Sequence, residues 1–170
     1  MKNAMVVKIL CVCLIMAIPF LGIGMAAGQS DSQNHTSGGT PVTIGLVKPS
    51  QAFHFAYQDY LKGHFGLALT QFKKFIADYP ESSMVPKAYF YLGECYEQEG
   101  NLKEAARALT TLIKQYETSR QVPVALFKLG KVMVKAGHPQ KAKAYWIKLI
   151  KDFRGTPEAK LASRDLNRIP

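Results

Sequence analysis

The chain repeats itself with a period of 37 residues. Gly63, Gly100 and Gly137 stand at that interval, as do Ala68, Ala105 and Ala142. Ala56, Gly93 and Gly130 form a third column, Phe53, Phe90 and Phe127 a fourth, and Tyr79, Tyr116 and Phe153 a fifth. Pro86 and Pro123 punctuate the copies. A period of about 20–50 residues marks a solenoid, whose units bury their apolar faces only by stacking on neighbours. Such folds offer long binding surfaces, so the period points to recognition rather than chemistry.

Within each copy the apolar spacing is helical. Tyr89, Leu92, Gly93 and Tyr96 recur at intervals of three and four, which predicts a helix over Lys87–Glu99. Gly100-Asn101 breaks it, and Leu102–Gln115 follows with Ala105, Leu109, Leu112 and Ile113 inward. The same reading gives Gln51–Lys62 and Phe65–Asp78 around Gly63, then Val124–Ala136 and Gln140–Asp152 around Gly137-His138-Pro139. Thr156 is placed to cap a last helix, with Pro157 in its first turn. The expected fold is an all-α right-handed solenoid of three helix pairs, about 50–86, 87–123 and 124–156, with a capping helix at 157–168. The small columns mark close crossings. Ala56, Gly93 and Gly130 lie on the first helix of each pair, and Ala68, Ala105 and Ala142 on the second. Phe72, Leu109 and Trp146 fill the volume beside them.

Ahead of the repeats, residues 1–28 read as a secretory signal peptide. Lys2 and Lys8 supply its positive end, Ile9–Ile23 its apolar run, and Ala26 or Gly28 a small-residue cleavage point. The run is shorter than the roughly 20 residues that span a bilayer. Cys11 and Cys13 lie inside it, behind Leu10 and Val12, which is the wrong place for lipidation. Residues 29–49 are rich in Ser, Gly and Thr and read as a flexible linker. A periplasmic protein is expected, with Cys95 as its one remaining cysteine and a small buried residue on a helix.

Charge is uneven along the chain. Residues 29–119 hold 8 Lys and Arg against 9 acidic residues. Residues 120–170 hold 12 against Asp152, Glu158 and Asp165, a net of +9. The last repeat therefore favours an anionic partner, whether an acidic protein or an anionic envelope surface. An export signal argues against nucleic acid.

Leu92-Gly93, Tyr96, Gly100, Ala105, Leu109 and Leu112 resemble the tetratricopeptide repeat pattern. Phe55-Ala56, Gly63, Ala68, Phe72, Phe75 and Pro80 match it again, and Leu129-Gly130, Gly137, Ala142, Trp146 and Leu149 a third time. The closing Pro80 is replaced by Glu117 and Arg154 in the later copies, and the period is longer than the usual 34. Tyr79-Pro80-Glu81-Ser82 followed by Pro86–Tyr96 narrows the likeness. The segment resembles the C-terminal domain of the Tol–Pal-associated cell division coordinator family, periplasmic proteins linking outer-membrane constriction to peptidoglycan synthesis. Members usually carry an N-terminal coiled coil, for which residues 29–48 are too short and too polar. A second group with similar repeats, the lipoproteins of the β-barrel assembly machinery, suggests an accessory role in outer-membrane protein or secretion-machinery assembly.

The repeat resemblance implies that the first helix of each pair lines a concave groove. Carried over by position, its columns are Phe53, Phe90 and Phe127; Tyr57, Glu94 and Lys131; Tyr60, Glu97 and Val134; and Leu61, Gln98 and Lys135. The expectation is a Phe ladder gripping an extended or helical peptide, with Glu94, Glu97, Lys131 and Lys135 setting its polarity. The alternative places the Phe column between repeats as core. His35, His54, His64 and His138 are scattered without metal-ligand spacing. No Gly-rich phosphate loop or nucleophile elbow is present, so no cofactor and no enzymatic activity are expected.

Overall fold

A computed structural model describes residues 47–169. The signal peptide and nearly all of the linker lie outside these described residues. Among the described residues seven helices follow one another: α1 (Pro49–Leu61), α2 (Phe65–Asp78), α3 (Val85–Gln98), α4 (Leu102–Gln115), α5 (Val122–Lys135), α6 (Pro139–Asp152) and α7 (Pro157–Leu166). Each packs on the next, and the first helices also meet side by side, α1 on α3 and α5 on α7. No described helix is long and apolar enough to cross a membrane.

The repeat columns set the turns. Gly63, Gly100 and Gly137 take φ of 78°, 76° and 78°, a left-handed conformation that only glycine adopts without strain. Each closes a double-bonded helix end. The Gly63 amide donates to Tyr60 O at 3.0 Å and the His64 amide to Asp59 O at 2.9 Å, and the pattern recurs around Gly100 and Gly137. Thr156 Oγ1 accepts from the Ala159 amide at 3.2 Å and caps α7. Four helices, α1, α3, α5 and α6, start one or two residues earlier than expected. Helices α3 and α5 begin at Val85 and Val122, so Pro86 and Pro123 lie within the first turn instead of preceding it. Proline lacks only an amide proton that a first turn leaves unused, so it is accommodated there. Pro139 likewise opens α6.

The close crossings are real. A Cβ built on Gly93 would stand 2.9 Å from Leu109 Cγ, and one on Gly130 only 2.1 Å from Trp146 Nε1. The Trp146 indole N–H meanwhile donates to Phe127 O at 3.1 Å, pinning the ring to α5. In the first pair the same columns hold Ala56 and Phe72, both fully buried.

Stacking buries one stripe of each later first helix. Val85, Ala88, Leu92 and Cys95 on α3 are sealed, and so are Val122, Ala125, Leu129 and Val132 on α5. One period later the same register gives Ala159 and Ala162, both buried. The capping helix α7 therefore stands in phase as a fourth first helix. One period earlier, on α1, the register gives Lys48, Gln51, Phe55 and Gln58. That stripe is mostly polar, as a terminal repeat's outer face requires, with Phe55 (59% exposed) as its apolar exception. Cys95 lies wholly in the core, and burial pushes its thiol up to about 12.

Two outcomes test this packing. Gly130→Ala forces the pinned indole aside and is expected to cost about 1–3 kcal/mol in urea unfolding, more than Gly93→Ala, which meets a flexible leucine. Cys95 is expected to resist a thiol reagent in the native state and to react fully once urea unfolds the chain; native-state labelling at the unfolded rate would contradict its burial.

Candidate functional site

The first helices stand side by side, and in the first two seams the same three positions of the repeat meet. Between α1 and α3 the seam is aromatic. Tyr91 lies 4.9 Å from Tyr57 and 5.0 Å from Tyr60, centroid to centroid, and stacks on Phe72 at 5.7 Å. Lys87 Nζ sits 5.7 Å from the Tyr57 ring and 5.3 Å from that of Phe53.

Between α3 and α5 the same positions hold ions. Glu94 and Glu97 occupy the places of Tyr57 and Tyr60, and Lys128 that of Tyr91. Lys128 Nζ lies 2.5 Å from Glu94 Oε1 and 2.6 Å from Glu97 Oε2. Lys135 closes on the other oxygen of Glu97. Tyr60 ties the two seams together, its hydroxyl donating to Glu94 Oε2 at 3.1 Å. The Glu97 side chain is only 2% exposed, which makes its pairing obligatory.

The protonation states follow from this packing. Burial pushes the Glu97 carboxyl up, but Lys128 and Lys135 overcome it and hold the group below the usual carboxylate range. Burial likewise pulls the Lys128 ammonium down, and Glu94 and Glu97 reverse that, leaving it above the ordinary lysine value. Burial first, and then the Glu94 carboxylate, push the Tyr60 hydroxyl up to about 12.

The expected groove residues divide accordingly. Phe53 is core: it is 3% exposed, with its ring 5.6 Å from both Phe72 and Phe75. The Phe ladder thus loses its first rung, because the second helix of its own pair closes over it. Phe90 and Phe127 are half-buried, Phe90 edge-on to Tyr91 at 5.4 Å and Phe127 stacked near Trp146 at 6.1 Å. Tyr57, Tyr60 and Glu94 are half-buried in the seams, and Glu97 is sealed beneath Lys128 and Lys135. Lys131 and Lys135 are exposed, with Lys131 Nζ 5.8 Å from the Phe127 ring.

Tyr91 and Lys128 carry the seams, yet their column, His54, Tyr91 and Lys128, is absent from the expected set. The signal was complementarity between columns one period apart: three tyrosines meet at one seam, two acids and a lysine at the next. Among the described residues no group of three or more His, Cys, Asp or Glu is placed to hold a metal ion.

Residues 60–120 match a family model described as tetratricopeptide repeat, and residues 124–156 match a second model of the same description. Together the matches span more than half of the chain. In structure the chain is similar to the Yersinia enterocolitica type III secretion translocator chaperone SycD (TM-score 0.62, 16% identity, 71% of this chain and 89% of that one). A similar fit holds for SycD in complex with a peptide of the translocator YopD (0.59, 16%, 70% and 86%). PcrH in complex with the chaperone binding region of PopB is similar as well (0.60, 13%, 73% and 97%). At these identities the likeness establishes the fold. No curated protein sequence matches the chain.

The ionic seam makes a signed prediction. A depressed Glu97 contributes stability above its unfolded value of about 4.3, and this is lost as pH falls through the lower folded value. A raised Lys128 contributes below its unfolded value of about 10.4, and this is lost as pH rises through the higher folded one. Lys128→Met is expected to cost about 3 kcal/mol near neutrality, since it removes one of the two cations that pair the buried Glu97 carboxylate. The same variant should shrink the acid-side fall in stability, measured by urea unfolding as a function of pH. An unchanged acid limb would remove Glu97 as its source.

Proposed function

We propose that this chain, which belongs to the tetratricopeptide repeat proteins, is a non-enzymatic protein–protein interaction scaffold of the bacterial periplasm. It holds a segment of a partner protein along the row of first helices. The observation that carries this reading is that row: α1, α3, α5 and α7 stand in one register. They present half-buried Tyr57, Tyr60, Phe90, Tyr91 and Phe127 beside exposed Lys131 and Lys135. Half-buried aromatics pre-set by packing lose little freedom on binding and offer large contact areas. The periplasmic assignment rests on the sequence of residues 1–28.

Within that class, the resemblance of residues 79–96 to the Tol–Pal-associated coordinators supports a role in envelope constriction during division. A second reading, assistance to secretion-machinery or outer-membrane protein assembly, draws support from the fold shared with SycD and PcrH. Those proteins are captured holding a peptide of YopD and the chaperone binding region of PopB. A third, attachment to an anionic envelope surface, draws on α6, whose Lys141, Lys143, Lys148 and Lys151 face one acid, Asp152, paired with Lys148.

A photo-crosslinking residue in place of exposed Lys131, in cells, separates these readings. Capture of a Tol, Pal or peptidoglycan-synthase component is the expected result. Capture of a secretion or β-barrel assembly subunit would favour the second reading. Crosslinks arising only from a control position at Lys143 on α6, and abolished by added salt, would favour surface attachment.

A further inference from the structure

The second helices turn their outer faces away from the row of first helices, and those faces differ in charge. On α4 the residues opposite the buried Ala105, Leu109 and Leu112 are Lys103, Arg107, Thr110 and Lys114, one stripe along the helix. On α6 the same stripe is Gln140, Ala144, Ile147 and Lys151, flanked by Lys141 and Lys148. Arg107 pairs with Glu104 at 3.2 Å and Lys148 with Asp152 at 2.6 Å. Among the described residues Lys103, Lys114, Lys141 and Lys151 form no ion pair, and all four are exposed. The corresponding stripe on α2, Gly66, Thr70, Lys73 and Ala77, holds a single cation.

Apolar groups lie among these cations. Ile147 is 53% exposed in the middle of its stripe. Between α4 and α6 runs a furrow of about 470 Å³ lined by half-buried Ile113, Tyr145 and Phe153, with Lys114 on one bank and Lys148 on the other. Two acids reach its edge: Asp152, already held by Lys148, and Glu117. Unpaired lysines on a broad outward face raise a positive potential that favours anions. A soluble polyanion would satisfy them yet leave Ile147 and the furrow in water. An anionic bilayer satisfies both, because its phosphates lie at the surface and aliphatic and aromatic side chains gain just beneath them.

We propose that the outer face of α4 and α6 docks on a bilayer rich in anionic phospholipid. The inference rests on the surface-attachment reading and deepens it, adding α4 and the apolar groups to the basic α6. Docked this way, the chain turns the row of first helices away from the lipid and leaves it open to a partner segment. Attachment and scaffolding then use opposite sides of one solenoid.

The test sediments the purified full chain with vesicles of phosphatidylcholine alone or mixed with phosphatidylglycerol. The neutral vesicles set the background from the apolar run Ile9–Ile23. Binding above that background should rise with phosphatidylglycerol content and fall with added salt. Lys103→Gln, Lys114→Gln, Lys141→Gln and Lys151→Gln should each weaken it about fivefold. Lys62→Gln, the same charge change in the turn after α1, should leave it unaffected. Ile147→Asn should weaken vesicle binding several-fold and leave binding to soluble polyphosphate unchanged. Amine acetylation read by mass spectrometry gives the orientation: on anionic vesicles the four lysines should be protected while Lys62, Lys131 and Lys135 stay reactive. Vesicle binding that ignores the four substitutions, or that protects Lys131 and Lys135 instead, would overturn the docking face. Retention by polyphosphate or isolated cell-wall sacculi but not by anionic vesicles would overturn the bilayer and leave surface attachment standing. Retention by none of these would overturn both.

Discussion

Everything in this solenoid hangs on how closely the two helices of a repeat approach. At Gly130 the backbone of α5 lies directly against the indole of Trp146, leaving no room for even a methyl group. At Gly93 the side chain of Leu109 does the same. Contacts of this kind admit one crossing geometry, because interiors are close-packed and have no slack to absorb a displaced ring. A rigid pair in turn fixes where its first helix stands relative to the next. The seams between first helices are therefore slots of set width, and the side chains that fill them are chosen to fit.

That arrangement lets chemistry change while geometry stays constant. The positions of Tyr57, Tyr60 and Tyr91 become Glu94, Glu97 and Lys128 one period on, with no change in the backbone plan. The two solutions differ in energetic character. Aromatic contacts of 4.9–5.0 Å contribute through burial and through ring geometry, and neither is sensitive to salt. The buried ion pairs return little net stability once desolvation is counted, but breaking one partner is costly. The second seam thus acts as a specificity device. It rejects any slip that would leave Glu97 without Lys128, and it makes Glu97 one source of the fold's acid sensitivity.

Much of this was legible in the sequence, and the reason is periodicity. Glycines every 37 residues announce left-handed turns, and a small-residue column facing Phe72, Leu109 and Trp146 announces close crossings, because each demand is local and recurs. Two further features demanded comparison between columns. The phase of α7 is visible only when Ala159 and Ala162 are set one period after Val122 and Ala125. Lys128 matters only through acids 31 and 34 residues earlier, so no single column reveals it. Phe53 misled for the opposite reason. Its column is uniform in sequence, yet burial differs along it because Phe72 and Phe75 enclose the first ring more completely than the neighbours of Phe90 and Phe127 enclose theirs.

The progression of the seams bears on recognition. From α1 to α7 the lining passes from uncharged and aromatic, through internally neutralised, to cationic and open. Along this row Glu94 and Glu97 are engaged by Lys128 and Lys135, and Asp165 lies 3.9 Å from both Arg164 and Arg168. The net charge of the last repeat and the tail, spread over α5 to α7, raises the positive potential at that end of the row, where the first two seams are neutral.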